Sequence, residues 1–369
     1  MNNSYQINAD DTLKKLATGI SLLQLPVRQI PDILELGVRE LQALYLCNLK
    51  LSLPSSRYDL FKVFEKPISE WWPLELPTAD PYDRLLFMGQ PTPFCMDWAL
   101  ERGSLCKQLA EIDEQVMARF VEICRMSPIS FQSIYVATRK FLIENPIVFQ
   151  KDLTHQIAIN NVHDIIQGAY EVVPTECIHN GFCYICDHCK DALIWHNDQA
   201  YCRNWSVCEK LGGYTFQTKI KAKPDIRRVK RGIMAYITLP GLPEIELSQR
   251  IKELGFASVL WPGIDEYDLL ISLPGEVNWA VDVKATRSPK ALGEREVSKG
   301  FIPNRGLPGL EWDRAFYVIP DIYYDSSFLD QFRKGARINS RDLAKRKIEL
   351  MSMKVFLRTL EGKIKNAAN

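Results

Sequence analysis

The sequence predicts an α+β protein of several domains, and three observations support this prediction. Apolar residues recur at three- and four-residue spacing from about residue 11 to 149, which is the period of amphipathic helices. Cysteines then concentrate in one short segment, and after it strand-like stretches alternate with helix-like ones. The 369 residues, 46% of them hydrophobic, suffice for two or three cores. We expect a helical N-terminal domain (1–150), a cysteine-rich segment with a basic linker (151–231) and an α/β domain (232–369).

The composition is that of an ordinary globular protein, with a net charge of +1. No run approaches the roughly eighteen apolar residues that suggest a membrane span. The first residues, MNNSYQINADD, lack the basic-then-apolar layout of a secretion signal. We therefore expect a cytoplasmic protein that does not enter a membrane, and in that reducing compartment no disulfides.

The helical pattern of the N-terminal domain is clearest in DILELGVRELQALYL and FQSIYVATRKFLIENPIVF. Proline-rich stretches separate such segments and predict irregular connections. A helical scaffold is the simplest interpretation. A winged-helix or another helical DNA-reading unit in residues 110–155 is the alternative that the sequence leaves open.

The cysteine segment has the spacing of a zinc ribbon. Six of the ten cysteines lie between residues 177 and 208, and two pairs stand out: Cys186 with Cys189, and Cys202 with Cys208. Two such pairs on tight turns can converge four thiolates on one tetrahedral Zn²⁺, and the intervening ALIWHNDQAY suits a hairpin. Four thiolates leave no open position, so this zinc would be structural.

Three alternatives to this ligand set remain open. Cys183 forms a competing C-x-x-C with Cys186, and His188 or His196 could replace a thiolate. The cysteines could also be buried side chains that only pack.

A basic stretch follows the cysteines. Seven cations fall in thirteen residues with a single acid among them: Lys219, Lys221, Lys223, Arg227, Arg228, Lys230 and Arg231. Such a stretch could contact nucleic-acid phosphates, or it could be a solubilising strand pair.

The C-terminal region predicts alternating elements. GIMAYITL, FASVLWPG and RAFYVIPD are typical of strands, and PEIELSQRIKELG of a helix closed by Gly255. The final segment from Ser340 onward predicts one long helix, with Ser340 as its N-cap.

A charged hairpin is expected within this region, at residues 266–284. Asp268 opens the first strand, and a Pro-Gly turn returns the chain so that Asp268 approaches Asp282. Alternation places Asp282 and Lys284 on one face of the second strand and the apolar residues on the other. Two carboxylates brought together repel unless a cation lies between them, and hard oxygen ligands suit Mg²⁺. An ordinary Asp282–Lys284 salt bridge on a surface hairpin is the simpler alternative.

The spacing of Asp268 and Asp282-Val283-Lys284, behind an acidic helix, resembles the PD-(D/E)xK nuclease superfamily. This resemblance implies a restriction-endonuclease-like α/β domain with a mixed sheet flanked by helices. It also implies Mg²⁺ held by Asp268, Asp282 and the Val283 carbonyl, with Lys284 orienting the attacking water.

The superfamily often adds a glutamate from the helix before the first motif strand. Glu244 shares a face with Leu247 and Ile251 and should point toward the sheet, whereas Glu246 belongs to a solvated face. We therefore expect Glu244 to complete the metal shell or take a proton. Asp265 is a rival to Asp268 but lies in a loop, and Arg287 and Lys299 are candidate phosphate contacts.

A narrower resemblance is carried by LPGLPEIELSQRI, VLWPGIDEYDLLISL and WAVDVKATRSPKAL. These stretches look like the restriction-endonuclease-like proteins encoded beside prokaryotic PIWI genes. The resemblance implies a PIWI protein and a helicase as partners, and defence against phages or plasmids. This chain has Ala285 and Thr286 where that pattern carries an acidic residue.

The function predicted from the sequence is Mg²⁺-dependent hydrolysis of DNA. The alternatives are a non-catalytic DNA-binding or adaptor protein that keeps the nuclease fold, and a zinc-ribbon transcription regulator.

Overall fold

The computed structural model describes most of the chain, in segments. These are residues 8–23, 31–48, 53–54, 56–74, 83–87, 89–100, 120–126, 128–157, 166, 168–196, 198–202, 204, 208, 211, 215–273, 278–286, 289–304 and 309–367. Arg287, predicted as a phosphate contact, lies outside them, as does the turn at 274–277. Two compact units emerge: Met1–Ile112 with Cys202–Gly213, and Asp113–Tyr201 with Tyr214–Asn369.

The first unit is helical, as predicted, with one short β-hairpin. Its elements are α1 (Ala9–Leu22), α2 (Asp32–Cys47), α3 (Arg57–Phe64), α4 (Ile68–Trp71), β1 (Leu86–Phe87), β2 (Gln90–Pro91) and α5 (Pro93–Leu100). Leu13, Leu16 and Ile20 recur at helical spacing on α1 and are fully buried, so this apolar stripe forms the core against α2 and α5. No helix in the described segments is long and apolar enough to cross a membrane.

The second unit begins with a helix and several small sheets. Its first elements are α6 (Pro128–Glu144), β3 (Ile147–Phe149), α7 (Gln150–Ile157), β4 (Tyr170–Val172), β5 (Ile178–His179), β6 (Phe182–Ile185), β7 (Ile194–His196), β8 (Gln199–Tyr201), β9 (Thr218–Lys221) and β10 (Ile226–Val229). They form a β3-β10-β4 sheet, a β5-β6-β9 sheet and a β7-β8 hairpin. The hairpin falls between the two cysteine pairs, as the sequence predicted.

The rest of the second unit is an α/β arrangement around a mixed sheet. Its elements are α8 (Arg231–Ile233), a π-helical segment (Met234–Thr238), α9 (Leu239–Glu253), β11 (Ala257–Leu260), α10 (Pro262–Asp265), β12 (Leu269–Ser272), β13 (Trp279–Val283), α11 (Pro289–Lys299), β14 (Arg314–Ile319), α12 (Phe328–Ala336), α13 (Ser340–Lys345), β15 (Ile348–Ser352) and α14 (Met353–Ala367). The strand order is β11-β12-β13-β14-β15, antiparallel up to β13 and parallel beyond it.

Helices cover both faces of this sheet. Trp279 and Val281 on β13 pack with Leu247 of α9 and Phe356 of α14, while Ala280 packs on the other side with α11 and α12. Because successive side chains of a strand alternate between faces, Asp282 must share the face of Ala280. The predicted division of β13 into an apolar and a charged face is therefore present.

Two predicted elements are wrong. GIMAYITL is helical, since Thr238 donates a hydrogen bond to the Leu142 carbonyl (3.1 Å) and Met234 is buried in the core that includes α6. This tertiary packing overrides the strand propensity of the β-branched residues.

The long C-terminal helix is also wrong, because β15 interrupts it and pairs with β14. Ile348, Leu350 and Ser352 are buried alternately, as in a strand. The N-cap of α13 is Asn339, not Ser340, and Asn339 forms a capping box with Asp342.

Candidate active site and metal centre

The register of β12 and β13 brings the two predicted aspartates opposite each other. Leu269 pairs with Val281, so one step further along this register Asp268 faces Asp282. Directly opposed residues in an antiparallel pair have Cβ atoms about 5 Å apart and share a face. Asp268 is buried and its Oδ2 accepts a hydrogen bond from the Val283 N–H (2.6 Å).

Lys284 lies on the same face as Asp282 and binds it. Its Nζ is 2.6 Å from Asp282 Oδ2 and 4.0 Å from Glu296 Oε1 on α11. The Tyr317 hydroxyl donates to the other oxygen of Glu296 (2.8 Å). Within the segments that the structure describes, Glu296 Oε1 is buried and accepts no hydrogen bond, which is costly for a carboxylate.

Glu244 enters the site from α9. Its carboxylate is buried, and Arg139 of α6 donates to both oxygens (3.2 and 3.0 Å). The Trp261 Nε1–H donates to Glu244 as well, and Arg139 also binds Asp265. Glu246, by contrast, has a side chain that is 52% exposed and pairs with Arg250 at the surface.

Trp261 and the following segment α10, whose backbone is mostly left-handed rather than regular α-helix, form a tight turn that presents Trp261 and Asp265 to this network. Trp261, Ile264 and Asp265 all have positive φ, a conformation that non-glycine residues adopt at a cost. Gln132 of α6 holds the turn, because it donates to the Trp261 carbonyl and accepts from the Ile264 N–H. The conformation of this turn thus places the side chains of Trp261 and Asp265 near Glu244.

Burial and repulsion from neighbouring carboxylates favour the protonated form of two acids, Glu244 and Asp268. Burial raises the pKa of Glu244 to about 7, although Arg139 opposes the shift. Burial, and then the charges of Glu244 and Asp282, raise the pKa of Asp268 well above its usual value. Burial by itself would lower the pKa of Lys284, but Asp282, Glu296 and Asp268 outweigh it and raise that pKa.

The site carries excess negative charge. Five carboxylates gather near four cations: the carboxylates are those of Glu244, Asp265, Asp268, Asp282 and Glu296, and the cations are Arg139, Lys284, Arg295 and Lys299. This excess of negative charge would attract a divalent cation, and carboxylate oxygens are the ligands that Mg²⁺ prefers. These residues therefore fit a hard divalent ion by charge and chemistry. Yet among the described residues no three of these carboxylates bring oxygens within 4.8 Å of one another.

The sequence reasoning missed three residues of this site. Arg139 belongs to a different domain in the predicted division, and nothing local marks it as a partner of Glu244. Glu296 lies in the charged segment ATRSPKALGEREVSKG, where nothing distinguishes it from its acidic neighbour Glu294, and Tyr317 lies in an apolar strand. Lys299, predicted as a phosphate contact, is exposed one helical turn beyond Glu296.

The four predicted zinc ligands come together. The sulfur atoms of Cys186, Cys189, Cys202 and Cys208 all lie within 4.8 Å of one another and are buried, so they could hold a metal ion. A tight turn positions the first pair, with the Lys190 N–H donating to the Cys186 carbonyl (3.0 Å). Four thiolates form the donor set typical of structural zinc.

The competing ligands are placed differently. Cys183 is buried but is not among the four grouped sulfurs. His188 is likewise not in the group, and the side chain of His196 lies outside the described residues.

Comparisons with known proteins match both ends of the chain. Residues 241–368 match the family model described as "REase associating with pPIWI_RE". Residues 36–149 match the model described as "pPIWI_RE three-gene island domain Y". No curated protein and no solved structure matches the chain. The first match contains Glu244, Asp268, Asp282 and Lys284, and the cysteine cluster lies outside both matches. The two matches in a single chain support a pPIWI_RE-associated, restriction-endonuclease-like protein.

Proposed function

We propose that this protein is a metal-dependent nuclease that hydrolyses DNA phosphodiester bonds. One observation carries the proposal: Asp268 faces Asp282 across β12 and β13, with Lys284 bound to Asp282 and Glu244 near enough to raise the pKa of Asp268, inside the region that matches the REase family. Buried acids with raised pKa values beside a lysine are a costly arrangement, and such costs are common at functional sites.

The residues have separate roles in this proposal. Asp268, Asp282 and the Val283 carbonyl would hold Mg²⁺, which supplies Lewis-acid stabilisation of the charge on the scissile phosphate. Lys284 would hold the attacking water and offset charge that develops on the phosphate. Glu244 would complete the ligand set or accept a proton from the water, a role that suits a group with a pKa of about 7.

The positioning of these groups comes from their neighbours. Arg139 holds Glu244 by two hydrogen bonds, so the carboxylate has one orientation. Tyr317 holds Glu296, which lies within ion-pair distance of Lys284. Glu296 can therefore keep Lys284 near the site when Asp282 binds the metal.

The biological setting follows from the family matches. Their descriptions name pPIWI_RE and a three-gene island, which supports a PIWI-like protein as a partner. A helicase as the second partner is proposed from the sequence resemblance alone. We propose a role in prokaryotic defence against phages or plasmids. The four-cysteine cluster would bind a structural Zn²⁺.

A cleavage assay tests the proposed activity. We expect the wild type to cut DNA in Mg²⁺, and Asp282→Asn or Lys284→Met to lower the rate at least 100-fold, since each removes a group that stabilises the transition state. Glu246→Gln is the matched control, because Glu246 lies two residues from Glu244 on the same helix but is exposed. Product formation is followed on single-stranded and duplex DNA, with and without the PIWI-like protein and the helicase.

A non-catalytic adaptor is the second candidate function. Protein cations already form ion pairs with two of the acids: Arg139 pairs with Glu244, and Lys284 pairs with Asp282. These ion pairs favour the adaptor, because they neutralise the carboxylates without a metal ion. No cleavage under any of these conditions would favour the adaptor. Equal cleavage by wild type, Asp282→Asn and Lys284→Met would show that the active site is elsewhere.

A further inference from the structure

The β5-β6-β9 sheet has two different faces. Phe182 and Tyr184 alternate with Cys183 on β6, and Cys183 is fully buried on the opposite side. The register pairs Tyr184 with Lys219 and Phe182 with Lys221. Because paired residues share a face, two aromatic rings and two lysines lie side by side on the face opposite Cys183.

Further aromatic rings extend this face. Trp195 and Phe216 have ring centroids 5.0 and 5.7 Å from that of Tyr184, and His179 stacks on Trp195 at 3.9 Å. The rings are half-buried, and Phe216 is 38% exposed. A sealed apolar core would hide them, whereas here the rings keep accessible surface. We call Phe182, Tyr184, Trp195, Phe216, Lys219 and Lys221 the aromatic–lysine face.

Its lysines are available to a ligand. Lys219, Lys221 and Lys223 are all exposed, and Lys219 Nζ lies 4.7 Å from the Phe182 ring centroid. Arg228, from the same basic stretch, is buried instead and pairs with Glu171 (2.7 Å). The basic stretch thus includes one buried arginine with a structural role and three lysines that face solvent.

The basic and aromatic character continues beyond the sheet. Lys223 Nζ lies 5.6 Å from the Phe149 ring centroid, and Lys151 Nζ lies 5.8 Å from the same centroid. Carboxylates are present at the edges: Asp198 is 3.9 Å from His179, and Asp187 accepts from the Gln217 N–H.

We infer that the aromatic–lysine face binds single-stranded DNA, with bases stacked on its rings and phosphates at its lysines. Rings and cations arranged together in this way are how proteins hold single strands without reading sequence. A duplex fits less well, because its bases are already stacked on each other. The choice of DNA rests on the proposed function, and the location of the site does not.

Binding of a fluorescent oligothymidylate, measured by anisotropy, tests the inference. The protein is the full chain carrying Asp282→Asn, without added Mg²⁺, so cleavage plays no part. We expect Phe216→Ala to weaken binding roughly tenfold, as for loss of one stacked base. We expect Lys219→Gln with Lys221→Gln to reduce the slope of log affinity against log salt by about 1.4, or 0.7 per phosphate contact.

Exposed residues outside this face provide the controls. Tyr58→Ala removes a ring that is 71% exposed, and Lys252→Gln removes an exposed cation from α9. Both should bind as the parent does, and all variants should keep their metal content and melting temperature. Unchanged binding by the Phe216 and lysine variants would overturn the inference, as would tighter binding of duplex. Tighter binding of single-stranded RNA would overturn the choice of DNA. If this face binds single-stranded DNA but the wild type never cuts DNA in Mg²⁺, the result would contradict the proposed function and leave the inference intact.

Discussion

Asp268 is a residue at which the candidate site lowers the stability of the folded protein. It is buried, faces Asp282 and lies near Glu244, so its ionised form is disfavoured in the folded chain. A group whose pKa is raised by folding contributes stability below its unfolded pKa and loses that contribution as the pH rises through the folded pKa. Asp268 is therefore a position where the proposed metal site would lower the stability of the fold.

Asp268→Asn should stabilise the protein when divalent ions are absent. The gain should be small near pH 4, about the unfolded pKa of aspartate. It should widen as the pH rises and reach on the order of 1 kcal/mol or more, because each unit of pKa shift is worth about 1.4 kcal/mol. Asparagine keeps an acceptor for the Val283 N–H. Urea unfolding between pH 5 and pH 8 measures this.

Adding Mg²⁺ should make the wild type more stable than Asp268→Asn, which reverses the order expected without divalent ions. It should raise the unfolding free energy of the wild type, because only the native carboxylates bind the ion, and leave Asp268→Asn little changed. Asp330→Asn, at a side chain that is 72% exposed, is the control and should follow the wild type. Parallel pH profiles for wild type and Asp268→Asn would contradict the placement of a strained acid at this position.

Among the elements, the crossing of α11 and α12 supports the site most directly. Gly293 and Gly335 lie where the helices meet, and a Cβ on Gly335 would overlap the Lys290 carbonyl of the facing helix. The close approach buries Glu296, one turn after Gly293, against the sheet. The position of Glu296 near Lys284 thus depends on two glycines distant from the hairpin motif.

Gly335→Ala should destabilise the protein by about 1–3 kcal/mol, because overpacking outweighs the better helix propensity of alanine. Gly362→Ala is the matched control: it also lies in a helix, α14, but has nothing within 4 Å of its Cβ position. That change should be neutral or stabilising by up to about 1 kcal/mol. Thermal unfolding of both variants tests this, and equal effects would show that the helices are not in contact at Gly335.

The errors at the level of elements have one cause. GIMAYITL and the segment 340–365 are apolar at positions compatible with more than one period, so local pattern does not decide between helix and strand. Contact with α6 selects a helix in the first, and pairing with the open side of β14 selects a strand in the middle of the second. The strands β11, β12, β13 and β14 were predicted, because β-branched and aromatic residues between turn signals left little ambiguity.

At the scale of the whole molecule, the cysteine cluster joins two parts of the sequence. Cys186 and Cys189 lie before the β7–β8 hairpin, and Cys202 and Cys208 lie after it, so a bound ion would cross-link the chain. Ligands of this kind bind only in the folded chain, and their binding free energy becomes folding free energy. The boundaries predicted at residues 150 and 231 remain predictions.

The purified protein should contain about one zinc ion per chain, as expected for one four-thiolate site. Cys189→Ser should lose the metal and melt at a lower temperature, whereas Cys47→Ser, at an exposed cysteine, should keep both. Elemental analysis by mass spectrometry with thermal unfolding measures these outcomes. Loss of zinc from Cys183→Ser but not from Cys189→Ser would identify the competing C-x-x-C as the ligand pair.

The sequence by itself determined the sites that depend on spacing: the two cysteine pairs, and a hairpin that sets Asp268 against Asp282. Such patterns are readable because strand alternation and turn length fix which side chains can meet. Only the tertiary structure decided that Arg139 binds Glu244. It also decided that Glu296, held by Tyr317, lies near Lys284. In the basic stretch, it decided that Arg228 is buried while Lys219 stays exposed. These contacts join residues far apart in sequence, and their partners are set by how whole elements pack.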